Sequence, residues 1–220
     1  MSMNPDPTED RPVQTNRAQF LGRGAKGGLV LAVGGLALAT AACGDDDSGS
    51  AASTAMSTAA DAPVDDVAIA SLAATAELLA IDFYGMGIDS GFFKADQLAY
   101  MKAAQQNEQD HYDALAKVLG ADAPKDLTFT YPEGTFASAE SIATTGTALE
   151  TAFVGAYMGA ISALSDNGLK KVAAQIGANE AQHLTVLKSL GAGGSLVPNP
   201  SLPEVLTAAE ATAAVTPFLG

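Results

Sequence analysis

The chain has two histidines, and each closes the same short motif: Glu108-Gln-Asp-His111 and Glu180-Ala-Gln-His183. Upstream of each motif lies a glutamate followed seven residues later by a tyrosine, Glu77 with Tyr84 and Glu150 with Tyr157. The order along the chain is Glu-x6-Tyr, Glu-x2-His, and then the same again. Glu77 to Glu108 spans 31 positions and Glu150 to Glu180 spans 30. On a helix, residues three apart share a face, and residues seven apart drift by only about 20°. Each half of the pattern therefore predicts two helices that aim carboxylate and imidazole at one point. A lone Glu-x2-His is ordinarily a surface pair one turn apart. With nine glutamates in 220 residues, however, two such coincidences have a chance of about one in 600 from composition alone.

Apolar residues recur at helical spacing in four segments. The first runs from about 64 to 89, with Leu72, Ala76, Leu79, Phe83 and Met86. The second runs from about 94 to 119, with Leu98, Met101, Leu115 and Val118. The third runs from about 138 to 164 and the fourth from about 167 to 190, with Gly120 and Gly191 placed to end the second and fourth. Short links at Ser90-Gly91 and Asp166-Asn167-Gly168 predict antiparallel hairpins. The link over 120–137, with Pro124 and Pro132, is long. Extended, it reaches up to about 60 Å, whereas a 25-residue helix is about 38 Å long. The expected fold is all-α: a four-helix bundle of two hairpins joined by a long crossover, over residues 63–192. A C-terminal extension, 193–220, carries Pro198, Pro200 and Pro203. In it a short helix is expected from about 203 to 214. Leu206, Val215, Phe218 and Leu219 are expected to cover one end of the bundle. Met86, Met101 and Met158 read as core filler, and Tyr112 as packing. Gly155 and Gly159, one turn apart, read as a place of close helix approach.

The N-terminus reads as an export signal over residues 1–43. Arg17, Arg23 and Lys26 precede an apolar run, Gly27–Ala42, that is short for a membrane span of about 20 residues. Asn16-Arg17-Ala18-Gln19-Phe20-Leu21 resembles a twin-arginine motif with Ala18 in place of the second arginine, and the general secretory route stays open. Cys43, the one cysteine, follows Thr40-Ala41-Ala42 in a sequence that resembles a lipoprotein box. Lipidation there would anchor the protein to a membrane of the cell envelope. Cleavage at Ala39-Thr40-Ala41, giving a secreted protein, is the alternative. Residues 44–62, rich in Ser, Ala, Thr and Asp, read as a flexible tether. The net charge is −14, and all three arginines precede residue 43. Such a chain repels nucleic acid.

Glu77, Glu108, His111, Glu150, Glu180 and His183 form a candidate ligand set for two metal ions. Carboxylate and imidazole suit iron or manganese better than a thiolate site would. Glu108 and Glu180 are expected to bridge, with Glu77 and Glu150 terminal on one ion each and one histidine per ion. Tyr84 and Tyr157 are candidates for catalytic groups, as hydrogen-bond donors to a ligand carboxylate or as one-electron relays. Packing is the alternative for both.

At these residues the chain resembles the ferritin-like superfamily, on the rubrerythrin and bacterioferritin side, over about residues 64–190. It is also similar to a bacterial ferritin-like group linked to desiccation-related proteins. The resemblance implies a dinuclear iron centre, oxidation of Fe(II) by peroxide or oxygen in oxidative-stress protection, and a symmetric homodimer. The chain has no Cys-x2-Cys pair, so the rubredoxin module of rubrerythrins is missing. Shell-forming storage ferritins have a different, asymmetric ligand pattern. A di-manganese catalase-like enzyme and a non-enzymatic, metal-stapled surface protein stand as alternatives. No large apolar pocket can be read from the residues, which disfavours chemistry on an organic substrate.

Overall fold

The computed structural model describes residues 65–220. The expected export signal (1–43), Cys43 and the tether (44–62) lie outside the described residues. Four long helices follow: α1 (Asp66–Asp89), α2 (Ala95–Leu119), α3 (Ala139–Ala163) and α4 (Asn167–Gly191). Local chemistry starts three of them. The Asp65 carboxylate accepts from Ala68 N at 2.7 Å, Ser138 and Ser141 form a reciprocal capping box, and Asp166 accepts from Leu169 N at 2.8 Å. Each cap satisfies a backbone donor that the first turn leaves unpaired. No side chain caps α2. It leaves the turn after Gly91 (φ +71°) through Ala95 at φ +47°.

The order of packing matches the expected bundle. The α1–α2 and α3–α4 hairpins each pack closely, and α1 also meets α3. The Asp66 carboxylate accepts from Ser165 N, Ser165 Oγ and Asp166 N at 2.7–2.8 Å. The α3–α4 turn therefore lies at the N-terminal end of α1, the end where α2 also finishes. The segment between α2 and α3 must run the length of the bundle before α3 begins. Tyr131 fastens that crossover to α1 by donating to Asp82 Oδ2 at 2.8 Å. The chain end fastens it too, through Thr130 N to Phe218 O and Gly220 N to Thr128 O.

The C-terminal segment differs from expectation. Its helix, α5 (Ala208–Val215), begins five residues later than expected, at a Thr207/Glu210 capping box. Residues before it form an extended strap along α3, not a cap over one end. Leu206 N donates to Gly155 O at 3.0 Å, and a Cβ on Gly159 would stand 1.8 Å from Leu206 O. The two glycines thus seat a passing backbone, not another helix. Val215 is buried and Phe218 packs on the core, whereas Leu219 is exposed. Two expected core residues are also exposed: Met86 at the edge of the buried arc of α1, and Val118 in the last turn of α2.

The core has two apolar layers. Phe83, Phe93, Met101, Ile142 and Leu187 mark one, and Ile69, Leu115, Leu164 and Ile176 mark the other. Glu77 falls between Ile69 and Phe83, Glu108 between Met101 and Leu115, Glu150 between Ile142 and Leu164, and Glu180 between Ile176 and Leu187. The result is a polar layer at mid-bundle, sealed from both ends. α1 is long and apolar enough to cross a membrane by length and composition. Burial on a wide arc of its surface, Glu77 included, accounts for that apolarity here.

Candidate metal centre

Each helix supplies one carboxylate to the polar layer: Glu77 from α1, Glu108 from α2, Glu150 from α3 and Glu180 from α4. All four are at most 2% exposed. One turn after Glu108 and Glu180 come His111 and His183, as helical spacing requires. The ligand atoms fall into two overlapping groups, Glu77, Glu108, His111 and Glu180, and Glu108, Glu150, Glu180 and His183. Within each group they lie within 4.8 Å of one another. Glu108 and Glu180 belong to both. The structure therefore brings together all six residues singled out as ligands and leaves none apart.

The contacts within each group are more numerous than hydrogen bonding uses. His111 Nδ1 lies 3.3 Å from Glu77, 3.0 Å from Glu108 and 3.1 Å from Glu180, on three different helices. One N–H cannot serve three carboxylates well. His183 Nδ1 lies 2.7 Å from Glu108 Oε1, yet that oxygen has no hydrogen-bond partner, and neither do Glu150 Oε2 and Glu180 Oε1. Short distances with unmet acceptors mean that lone pairs converge on common points. Buried carboxylates left so are costly. A cation at each point would satisfy them, and the two clusters could hold metal ions.

Residues 65–192 match the family described as the ferritin-like domain. The chain belongs to this family. No curated protein matches it.

In this ferritin-like centre the tyrosines work crosswise. Tyr84 of α1 donates to Glu150 Oε1 of α3 at 2.6 Å, and Tyr157 of α3 donates to Glu77 Oε1 of α1. Each phenol holds a carboxylate of the other hairpin. Burial pushes both phenols well above their usual range, and the facing glutamate adds to it. Two further residues at the centre escaped the sequence reading. Asn107 Nδ2 lies 3.2 Å from His183 Nε2, the ring nitrogen that faces away from the carboxylates. Its signal was available, because an asparagine precedes the motif glutamate in both halves, Asn107-Glu108 and Asn179-Glu180. Tyr100 sets its ring edge-on to His183, and its hydroxyl is buried without a partner. No repeat marks Tyr100, because Val172 stands at the matching place in the second half.

Charge is distributed unevenly over the cluster. Burial pushes the Glu77 and Glu150 carboxyls well above the usual range, and Glu180 reinforces it. Burial acts on Glu108 as well, but hydrogen bonds from His111 and His183 outweigh it and hold that carboxyl at about 2. Burial opposes charge on both imidazoles. The glutamates around them nevertheless raise His111 to about 12 and His183 to about 9. In the metal-free protein, protons thus do part of the work of cations. A raised histidine stabilises the fold fully below its unfolded value near 6.5, and that contribution is lost as pH rises through the folded value. Metal has to displace these protons, so its affinity moves the other way. Between pH 6 and 8, metal affinity should rise by up to about tenfold per unit for each proton displaced. Over the same range the metal-free chain should become easier to melt. Affinity that is flat or falling across that range would contradict the placement of the protons.

Proposed function

We propose that this ferritin-like protein holds a dinuclear iron centre and oxidises Fe(II) with peroxide or oxygen, protecting the cell envelope from oxidative damage. One observation carries the reading. Two shared carboxylates, two terminal carboxylates and two imidazoles converge in a layer sealed between apolar layers. Glu108 and Glu180 would lie between the two ions, with Glu77 and His111 on one and Glu150 and His183 on the other. Bound there, two ferrous ions supply the two electrons that break the O–O bond of peroxide, with two protons completing two waters.

The chain's own residues account for the remaining requirements. The glutamates offset the charge of the cations. Tyr84 and Tyr157 would fix the terminal carboxylates and stay protonated, so each could give up a proton and an electron together, leaving a neutral phenoxyl and no new charge in the core. Asn107, with its amide turned so that Oδ1 faces Nε2, would accept that N–H and orient the His183 ring, as partners of a ligating imidazole do. His111, whose side chain is 12% exposed, marks the side nearest solvent. Small oxidants are favoured by that geometry over large ones.

The test is anaerobic binding of Fe(II) and, separately, Mn(II), followed by peroxide. Two ions per chain and rapid peroxide consumption are expected with iron. Both should be lost in the His111→Ala/His183→Ala variant, while Tyr84→Phe and Tyr157→Phe keep the ions and slow the reaction. Turnover with manganese alone would make the protein a catalase-like enzyme, and tight binding without turnover would leave a metal-stapled bundle.

The place of action is part of the proposal. Export through residues 1–43 and lipidation at Cys43 would tether the domain to the membrane by residues 44–62. Cells given labelled palmitate should label this chain, and Cys43→Ala should abolish the label. Label persisting in that variant would remove the anchor from the reading.

A further inference from the structure

A cleft of about 780 Å³ opens between α1, α3 and the strap that leads into α5. It was not legible in the sequence, from which no large apolar pocket could be read. Its floor is built from truncated side chains: Ala73 and Ala76 on α1, and Ala152, Ala156, Gly159 and Ala160 on α3. Leu206, Ala211 and Val215 close the third side. That wall is anchored at both ends. The strap backbone is bonded to Gly155 and pressed on Gly159, and Val215 is buried in the core.

The lining specifies the chemistry of an occupant. Among the described residues no lysine, arginine, aspartate or glutamate lines the cleft. Four hydroxyls line it. Those of Thr207, Thr212 and Tyr157 already donate within the protein, to Glu210, to Ala208 O and to Glu77, which leaves the exposed Ser162 hydroxyl for a ligand. A polar ligand would lose its water and find few partners. An anionic one would also enter a chain of net charge −14 with no cation to meet it. The volume lies within the range of small-molecule sites, about 300–1,000 Å³. The lining positions on α3 extend over about 16 Å of helix.

We propose that this cleft binds a neutral, mainly hydrocarbon small molecule of the kind represented by a long-chain alcohol. The proposal does not rest on the metal centre, although the cleft touches it at Tyr157, whose hydroxyl holds Glu77. The occupant removes the alanine floor from water, and the strap forms the third wall against it.

The test uses the full chain and the neutral fluorophore N-phenylnaphthylamine, with dodecanol as competitor. One saturable site per chain, displaced by dodecanol and not by dodecanoate, is expected. Ala156→Phe and Ala160→Phe fill the space and should each weaken binding by about tenfold or more. Gly159→Ala, which lifts the strap, should weaken it as well, and Leu202→Ser, on the exposed tail, should not. Circular dichroism checks that each variant is helical. Should a phenylalanine variant fail to fold, Ala73→Leu carries the same test from α1. Unchanged binding in the filled variants would overturn the proposal, as would equal displacement by dodecanoate. Self-association lost in the filled variants would assign the cleft to a second copy. Cleft-dependent flotation with phosphatidylcholine vesicles would assign it to a membrane. Either result would likewise overturn it.

Discussion

Replacing Glu180 with glutamine should remove both metal ions from the chain, not one. The reason is the overlap of the two clusters. Glu180 and Glu108 each lie within reach of both imidazoles and of both terminal carboxylates. Glutamine keeps the shape of the side chain but removes the negative charge and one acceptor oxygen, and it cannot bridge two cations. Glu77 and Glu150, by contrast, each belong to one cluster. Glu77→Gln and Glu150→Gln should therefore each keep one ion. Anaerobic titration with Fe(II), read as ions per chain, separates the cases as two, one and zero. The affinity change for Glu180→Gln should reach about a hundredfold or more, beyond the 10–100-fold typical of residues that only support a ligand. One ion retained at full affinity by Glu180→Gln would show that this carboxylate is not shared.

Loading the centre should raise the melting temperature by roughly 8–16 °C. At free metal a thousandfold above its dissociation constant, binding to the folded state alone adds about 4 kcal/mol. A domain of this size gains roughly 2–4 °C per kcal/mol. The gain is large because the metal-free layer is poorly satisfied: three of its carboxylate oxygens have no hydrogen-bond partner. It is not larger because protons already compensate in part, with His111 and His183 held charged and the Glu77 and Glu150 carboxyls pushed toward their neutral form. Helix content should hardly change, since the apolar layers on either side hold the bundle without metal. Calorimetry with and without saturating Fe(II) measures the shift. No shift at saturation would mean that the ions bind the surface, or bind folded and unfolded chains alike.

Much of this arrangement was legible before any coordinates. Four helices, two short turns and one long crossover could be read from apolar spacing and glycine placement, with bounds within two residues of those observed. The six ligand candidates could be read from an internal repeat. The same repeat contained a clue that went unread, the asparagine before each motif glutamate, because its partner lies on another helix. The tail was misread for a related reason. Leu206 has the composition of a helix-end cover, but its position is set by a hydrogen bond to Gly155 and by the missing Cβ of Gly159. Nothing within the tail itself encodes those.

The sequence by itself determined which side chains share a helix face, because that depends only on the turn of one helix. Glu108 with His111, Glu180 with His183 and the capped helix starts all belong to this class. The tertiary structure decided everything that depends on how helices rotate and slide against one another. It paired Tyr84 with Glu150 and Tyr157 with Glu77 across the bundle, and it placed Glu108 and Glu180 between both histidines. It also left α1 and α3 far enough apart, with the strap across them, to form an apolar cleft over alanines that read as ordinary helix formers. These relations are set by packing between segments 66 to 80 residues apart in the chain, and local periodicity carries no record of them.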